Sequence, residues 1–146
     1  IKKNINSYYK SFKLVNDEKN RGDLTSFVDT FFDLLIESLE ELCESLDDRI
    51  NKLIYYNECI LSIDTLDDRD IQVLFILVQN ALFGENGIGI IEIYENIDIG
   101  DSKLRSIIKK LDEMGLIYTQ KDGRKKIYTA ELSILNEIYE DYESRK

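Results

Sequence analysis

The residues of this chain that are best suited to chemistry are basic side chains concentrated in residues 101–130. This block carries eight basic and four acidic side chains, although the whole chain of 146 residues has a formal net charge of −10 at pH 7. Lysine and arginine neutralise phosphates and donate hydrogen bonds to base edges, and local charge decides what a surface binds. The block therefore predicts a surface that binds double-stranded DNA. The candidate DNA-binding residues are Ser102, Lys103, Arg105, Ser106, Lys109, Lys110, Lys121, Arg124, Lys125 and Lys126.

The six candidates between residues 102 and 110 are predicted to lie on the solvent-facing side of one helix. At 100° per residue, Leu104, Ile107, Ile108 and Leu111 share an inward face, and the six polar side chains then point outward. The other four candidates lie in a hairpin whose turn is predicted at Asp122-Gly123. A charged helix face and a hairpin tip that contact only solvent have the same pattern. A protein-binding or intramolecular regulatory surface is therefore the alternative.

The chain lacks residue types that catalysis and metal binding commonly need. It contains no His and two Cys, Cys43 and Cys59. A single predicted helix separates the two thiols by roughly 24 Å, beyond the reach of a disulfide. We therefore expect two buried thiols, with no metal site, no catalytic residue and no cofactor in this chain. No apolar run reaches the roughly 18 residues of a membrane span and no segment resembles a signal peptide, so we expect a cytoplasmic protein without membrane contact.

Residues 64–146 have the element order of the winged helix-turn-helix family. The predicted order is a helix around residues 71–82, a short strand at 88–90, a helix at 91–97, a helix capped by Asp101 and ended by Gly115, strands at 116–119 and 126–129, and a helix from Thr129 to about Ser144. The stretch from Ile90 to Thr129 resembles that family in pattern, through the short apolar helix, the turn at Gly100, the apolar core of the third helix and the basic hairpin.

Residues 1–63 are predicted to be helical. A short helix at residues 4–15 and a polar break precede a helix from Thr25, capped by Asp23 or Thr25 itself, to about Ser62. An apolar seam with a period of 3.5 residues runs along its first half, comprising Val28, Phe32, Leu35, Leu39, Leu42 and Leu46. The stripe either builds the core of a helical bundle, or its second half, Leu46 to Ile63, bridges two domains or pairs with another chain. The predicted fold class is mainly α, a helical tail and long connecting helix followed by a winged helix-turn-helix with a small β-hairpin.

The segment SYYKSFKLVNDEKNRGDLTSFVDTFFDLLIESLEEL resembles the C-terminal end of Fic-family domains over roughly residues 4–45. Tyr8-Tyr9, the run from Arg21 to Thr25, Phe27 and Phe31-Phe32 carry the resemblance, and Ser26 stands where many members have Pro. Fic domains are helical proteins that commonly transfer AMP from ATP to a protein hydroxyl. The family's His-Pro-Phe and Gly-Asn-Gly-Arg stretches occur nowhere in this sequence. The resemblance implies that these active-site residues lie before Ile1.

The resemblance implies that the chain is the non-catalytic C-terminal part of a bacterial-type Fic protein adenylyltransferase. The parent protein would use ATP and Mg²⁺ on a protein substrate, while this chain supplies a winged-helix module for DNA binding or regulation. A homodimer through the long helix or the winged helix is a further expected partner arrangement. The alternatives are a winged helix that dimerises or docks a protein, and a free-standing winged-helix transcription regulator for which the Fic resemblance is accidental.

Overall fold

The computed structural model describes residues 5–17, 21–84, 86–123 and 125–145. The chain divides into two compact units, Ile1–Asp48 and Arg49–Lys146. The elements in the described residues are α1 (Ile5–Val15), α2 (Thr25–Leu61), α3 (Asp68–Phe83), β1 (Ile88–Gly89), α4 (Ile90–Glu95), α5 (Asp101–Glu113), β2 (Ile117–Asp122), β3 (Lys125–Ala130) and α6 (Leu132–Ser144). The predicted fold class, mainly α with a small β-hairpin, is confirmed.

The first unit contains α1 and the beginning of α2. The turn between the two helices has Arg21 and Gly22 at positive φ, 52° and 78°. Asp23 then accepts a hydrogen bond of 2.9 Å from the Thr25 backbone N–H. Hydrogen bonding with the Thr25 side chain, and then with its backbone N–H, lowers the pKa of the Asp23 carboxyl. The Phe27 ring packs edge-on against the ring of Tyr8, with 5.6 Å between ring centroids. Asp23 therefore stabilises the start of α2, as one of the two predicted caps.

Helix α2 runs from Thr25 to Leu61 without interruption, as the absence of Gly and Pro from this stretch predicts. All residues from 39 to 52 are exposed, whereas Tyr56, Cys59 and Ile60 are buried in the core of the second unit. The two compact units therefore divide inside α2, ahead of the predicted domain boundary at residues 63 and 64. The expectation of two buried thiols is wrong for Cys43, because it lies in the exposed part of the helix.

A reciprocal cap fixes the start of α3 in the second unit. Asp67 Oδ1 accepts hydrogen bonds of 2.9 Å from the backbone N–H groups of Arg69 and Asp70. Asp70 Oδ2 in turn accepts a hydrogen bond of 3.0 Å from the Asp67 N–H, which completes a capping box. Helix α3 then buries Val73, Leu74, Leu77 and Val78 against α5 and the sheet. The same hydrophobic core contains Ile93, Leu104, Ile107, Leu111, Leu116 and Leu135.

The sheet has three antiparallel strands in the order β1-β3-β2. Both hairpin strands are longer than predicted, and Asp122 lies opposite Lys125 at the turn, where Gly123 has a φ of 59°. Thr129 pairs with Tyr118, and Ala130 pairs with Ile117. The predicted start of the last helix at Thr129 is therefore wrong, because the strand pairing continues through Ala130 and α6 begins at Leu132. The second unit has the predicted element order of helix, strand, two helices and hairpin.

Candidate nucleic-acid interface

Helix α5 presents the polar face that the sequence predicts. Leu104, Ile107, Ile108 and Leu111 are buried, and the polar candidates from Ser102 to Lys109 are exposed. The predicted cap at Asp101 is wrong, because Gly100 is the N-cap residue and Asp101 is the first residue of the helix. The exposed side chain of Asp101 therefore lies in the first turn of α5 and does not cap the helix.

Three cations on this face are paired with nearby carboxylates. Lys103 Nζ lies 3.5 Å from Asp67 Oδ2, and Lys109 Nζ lies 3.5 Å from Glu113 Oε1. Arg105 Nε donates a hydrogen bond of 2.8 Å to Asp101 Oδ2, which raises the pKa of Arg105. The face is therefore a mixed-charge surface. Exposed pairs of this kind contribute little to stability and are screened by salt, so a phosphate can replace a carboxylate as partner.

Asp67 belongs to both the cap of α3 and the edge of this face. The hydrogen bond from the Asp70 backbone N–H lowers the pKa of the Asp67 carboxyl, and the Arg69 N–H and the Lys103 ammonium act in the same direction. Lys103 Nζ therefore lies beside the start of α3, at one edge of the exposed face of α5.

Lys110 differs from the other cations, and the prediction that it points to solvent is wrong. Its ammonium hydrogen-bonds to Asp70 Oδ2 and donates a bond of 2.8 Å to the Thr65 carbonyl oxygen. The Asp70 side chain is 1% exposed, so Lys110 neutralises a buried carboxylate. The role of Lys110 in the structure is to join α5 to the start of α3. An ammonium held in this way is poorly placed to contact a phosphate.

The hairpin places one of its predicted lysines beside α5. A cleft of about 260 Å³ between α5 and the hairpin is lined by Arg105, Lys109 and Lys126, together with Asp112, Thr119 and Tyr128. Successive strand residues point to opposite faces of a sheet, so Lys125 lies on the face away from this cleft. Lys121 lies directly opposite Lys126 in the strand register. Arg124 lies outside the described residues. The structure thus brings together Arg105, Lys109 and Lys126 out of the ten candidates.

The acidic partners on this face are the site residues that sequence reasoning missed. Asp101 and Glu113 each stand four residues from their basic partners, a spacing that predicts helical ion pairs. Asp67 and Asp70 have no such signal, because they lie far from Lys103 and Lys110 along the chain. The first two pairs could therefore have been predicted from the sequence, and the second two required the fold.

A second cavity, of about 530 Å³, lies on the other side of the hairpin against the end of α3. Asn80, Gly87, Tyr118, Gln120 and Thr129 are among its lining residues. Within the described part of the chain, Asn80 Oδ1 is a buried side-chain atom that has no hydrogen-bond partner. The Asn80 side chain as a whole is half-buried. This polar cavity was not predicted from the sequence.

The described ranges contain no cluster of three or more His, Cys, Asp or Glu side chains that could hold a metal ion. Nor does any helix in them have the length and apolar character needed to cross a membrane.

Neither a family model nor a curated protein matches the chain. Among solved structures, that of AF1382 from Archaeoglobus fulgidus is similar at 21% identity and a TM-score of 0.43, covering 56% of this chain and 92% of the other.

Proposed function

We propose that the second unit binds double-stranded DNA through the exposed face of α5 and the adjacent hairpin. The observation that carries the proposal is the cleft that brings together three cations from two elements, Arg105, Lys109 and Lys126, against one carboxylate, Asp112. An α-helix fits the major groove of B-DNA, and a hairpin beside it can reach the flanking backbone. Ser102 and Ser106 are small and exposed on the same helix, which permits close approach to a groove.

Binding through this surface requires an exchange of partners. A phosphate would replace Glu113 as the partner of Lys109, and this pair is exposed enough for the exchange to occur in water. The formal net charge of −10 repels a polyanion at long range. The expected complex is therefore of modest affinity and strongly weakened by salt.

Reversing the charge of Lys109 and Lys126 should abolish duplex binding that the wild-type chain shows at low salt. Each neutralised phosphate contributes a slope of roughly −0.9 in log affinity against log salt, so the single reversals should each reduce the slope by about 1. The measurement is fluorescence anisotropy of a labelled duplex across a salt series. Lys10→Glu is the matched control for each single reversal, because it makes the same change in net charge at an exposed residue of α1.

The control should bind like the wild type after correction for net charge. Affinity that does not depend on salt, or that falls equally in Lys10→Glu and Lys109→Glu, would remove this face as a DNA site. A chain that binds no duplex at low salt would contradict the proposal altogether.

A second candidate function, dimerisation or protein docking, is favoured by the apolar seam of α2. In the first unit the side chains of the seam are between 37% exposed, at Leu35, and 63% exposed, at Leu42. The positions that flank the seam between residues 31 and 46 carry no charge, and the acidic residues Asp33, Glu37, Glu40, Glu41 and Glu44 occupy the outer positions of the heptads. Uncharged flanks let two acidic helices approach along the seam.

If the seam pairs two copies of the chain, Leu39→Glu combined with Leu42→Glu should shift sedimentation from dimer to monomer. Burying one leucine contributes about 1.5–3 kcal/mol, so the dissociation constant should rise at least tenfold. Both side chains are at least half exposed, so the fold of the unit should be retained, which circular dichroism checks. Glu40→Lys, on an outer position of the same turn, is the control. A wild-type chain that stays monomeric at high micromolar concentration speaks against self-association.

For the parent protein, the resemblance of residues 4–45 supports a Fic-type protein adenylyltransferase that acts on a protein substrate with ATP and Mg²⁺. In that arrangement the exposed apolar side of the first unit would pack beneath the catalytic core. The chain itself would then act as the binding module of a cytoplasmic, bacterial-type enzyme.

A further inference from the structure

Arg105 has a different environment from every other cation on the face of α5. It is the one arginine of this helix, and its Nε donates to Asp101 Oδ2 at 2.8 Å. Both side chains remain exposed, at 61% and 60%. Lys103 and Lys109 are paired at the longer distance of 3.5 Å, and an ammonium is a point charge that no single contact orients. Arg105 is therefore the oriented donor on this surface.

The contact with Asp101 occupies the Nε donor of the Arg105 guanidinium and does not involve its terminal nitrogens. An arginine carries five N–H donors in a rigid planar fork, and Asp101 takes the Nε donor on one edge. The two terminal nitrogens carry the other four N–H donors of the group. A guanine presents O6 and N7 as two adjacent acceptors in the major groove, and a planar fork contacts both at once.

We propose that Arg105 reads a guanine in the major groove and that Asp101 is the positioning residue that orients it. The inference rests on the proposed DNA-binding function and adds the base that the surface recognises. Asp101 brings a negative charge toward the phosphates, so it weakens binding to arbitrary duplex. It also limits the rotamers that Arg105 samples, so it strengthens discrimination between guanine and other bases. The pair increases sequence specificity at the expense of general affinity.

The test is selection from a random duplex library by the full chain, followed by anisotropy on the selected site and on the same site with the guanine replaced. The wild type should select a G·C pair and prefer it by about 5- to 150-fold over A·T. Arg105→Ala should lose that preference, and Arg105→Lys should not restore it. Asp101→Asn should bind arbitrary duplex at least as tightly as the wild type, while its preference for guanine falls at least about twofold toward that of Arg105→Ala. Lys109→Ala, the control, should bind all sequences more weakly with the preference retained.

The outcomes separate the inference from the function on which it rests. No duplex binding by the wild type at low salt overturns both. Binding without any base preference that depends on Arg105 overturns the inference and leaves the DNA-binding function. An Asp101→Asn variant that keeps the full guanine preference overturns the positioning role. Because Asp101 is exposed and is not the N-cap residue, Asp101→Asn should lose only the small contribution of an acidic side chain in the first turn and should stay folded, which thermal unfolding checks.

Discussion

Replacing Lys110 by alanine should destabilise the second unit by about 3 kcal/mol, because it leaves a buried carboxylate without its counter-charge. Asp70 is 1% exposed and bonds to the Lys110 ammonium, which also satisfies the Thr65 carbonyl oxygen. Lys110→Glu should be more damaging still, since it places a second carboxylate beside the first. The Lys110 side chain is 41% exposed, so water can enter the variant site and moderate the loss.

The neighbouring lysine provides a matched control for this prediction. Lys109 is 78% exposed and pairs with Glu113 on the helix surface, so Lys109→Ala should change the free energy of unfolding by less than about 0.5 kcal/mol. Urea unfolding followed by circular dichroism measures both variants. Lys110→Met retains the apolar stem of the side chain and removes only the charge. It should therefore show most of the destabilisation of Lys110→Ala, which separates the effect of the charge from that of packing. Equal midpoints for the Lys109 and Lys110 variants would show that the pair with Asp70 contributes little.

This difference between adjacent lysines shows where sequence reasoning about the site ends. The inward face of α5 could be predicted because Leu104, Ile107 and Leu111 repeat with the helical period. Lys103 and Lys110, seven positions apart, lie at one edge of that apolar stripe, where the start of α3 provides Asp67 and Asp70. Periodicity tells which side chains face the core, but a polar residue at the edge of the stripe points to solvent or to a neighbour according to the fold. Reversing the charge of Lys110 therefore tests the stability of the second unit. Of these two lysines, only Lys109 tests DNA binding by the exposed face of α5.

The sequence predicts the position of the hairpin turn well and the ends of its two strands less well. Asp122-Gly123 fixes the turn because glycine readily adopts a positive φ there. The last paired residues, Thr129 and Ala130, follow no pattern that distinguishes a strand from a helix start. Their conformation depends on the pairing with β2 and on a backbone bond of 2.8 Å from the Glu131 N–H to the Leu116 carbonyl. Such contacts between segments distant in sequence explain why α6 begins later than expected.

Gly87→Ala should destabilise the second unit by about 3 kcal/mol, because both the backbone and the space around this residue require glycine. Its φ is +78°, which costs an L-residue roughly 1–2 kcal/mol. A Cβ atom would also lie 2.5 Å from Thr129 Oγ1 and 3.0 Å from the Tyr128 carbonyl oxygen. The carbonyl belongs to β3 and cannot rotate away, so overpacking adds about 1–3 kcal/mol. Since Gly87 precedes β1, which pairs with β3, the hairpin beside α5 should shift or loosen in the variant.

A variant of Gly115 separates the cost of the positive φ from the cost of the steric clash at Gly87. It has a similar φ of +73°, but a Cβ atom there would have no neighbour within 4 Å. Gly115→Ala should therefore show only the backbone cost of roughly 1–2 kcal/mol in urea unfolding. Equal losses in the two variants would mean that the approach of β3 to Gly87 is easily relieved. Combining Gly87→Ala with Thr129→Ala removes the hydroxyl and leaves the Tyr128 carbonyl in place, so it should recover only part of the stability. Full recovery would show that the side chain, and not the strand backbone, is what excludes a larger residue at position 87.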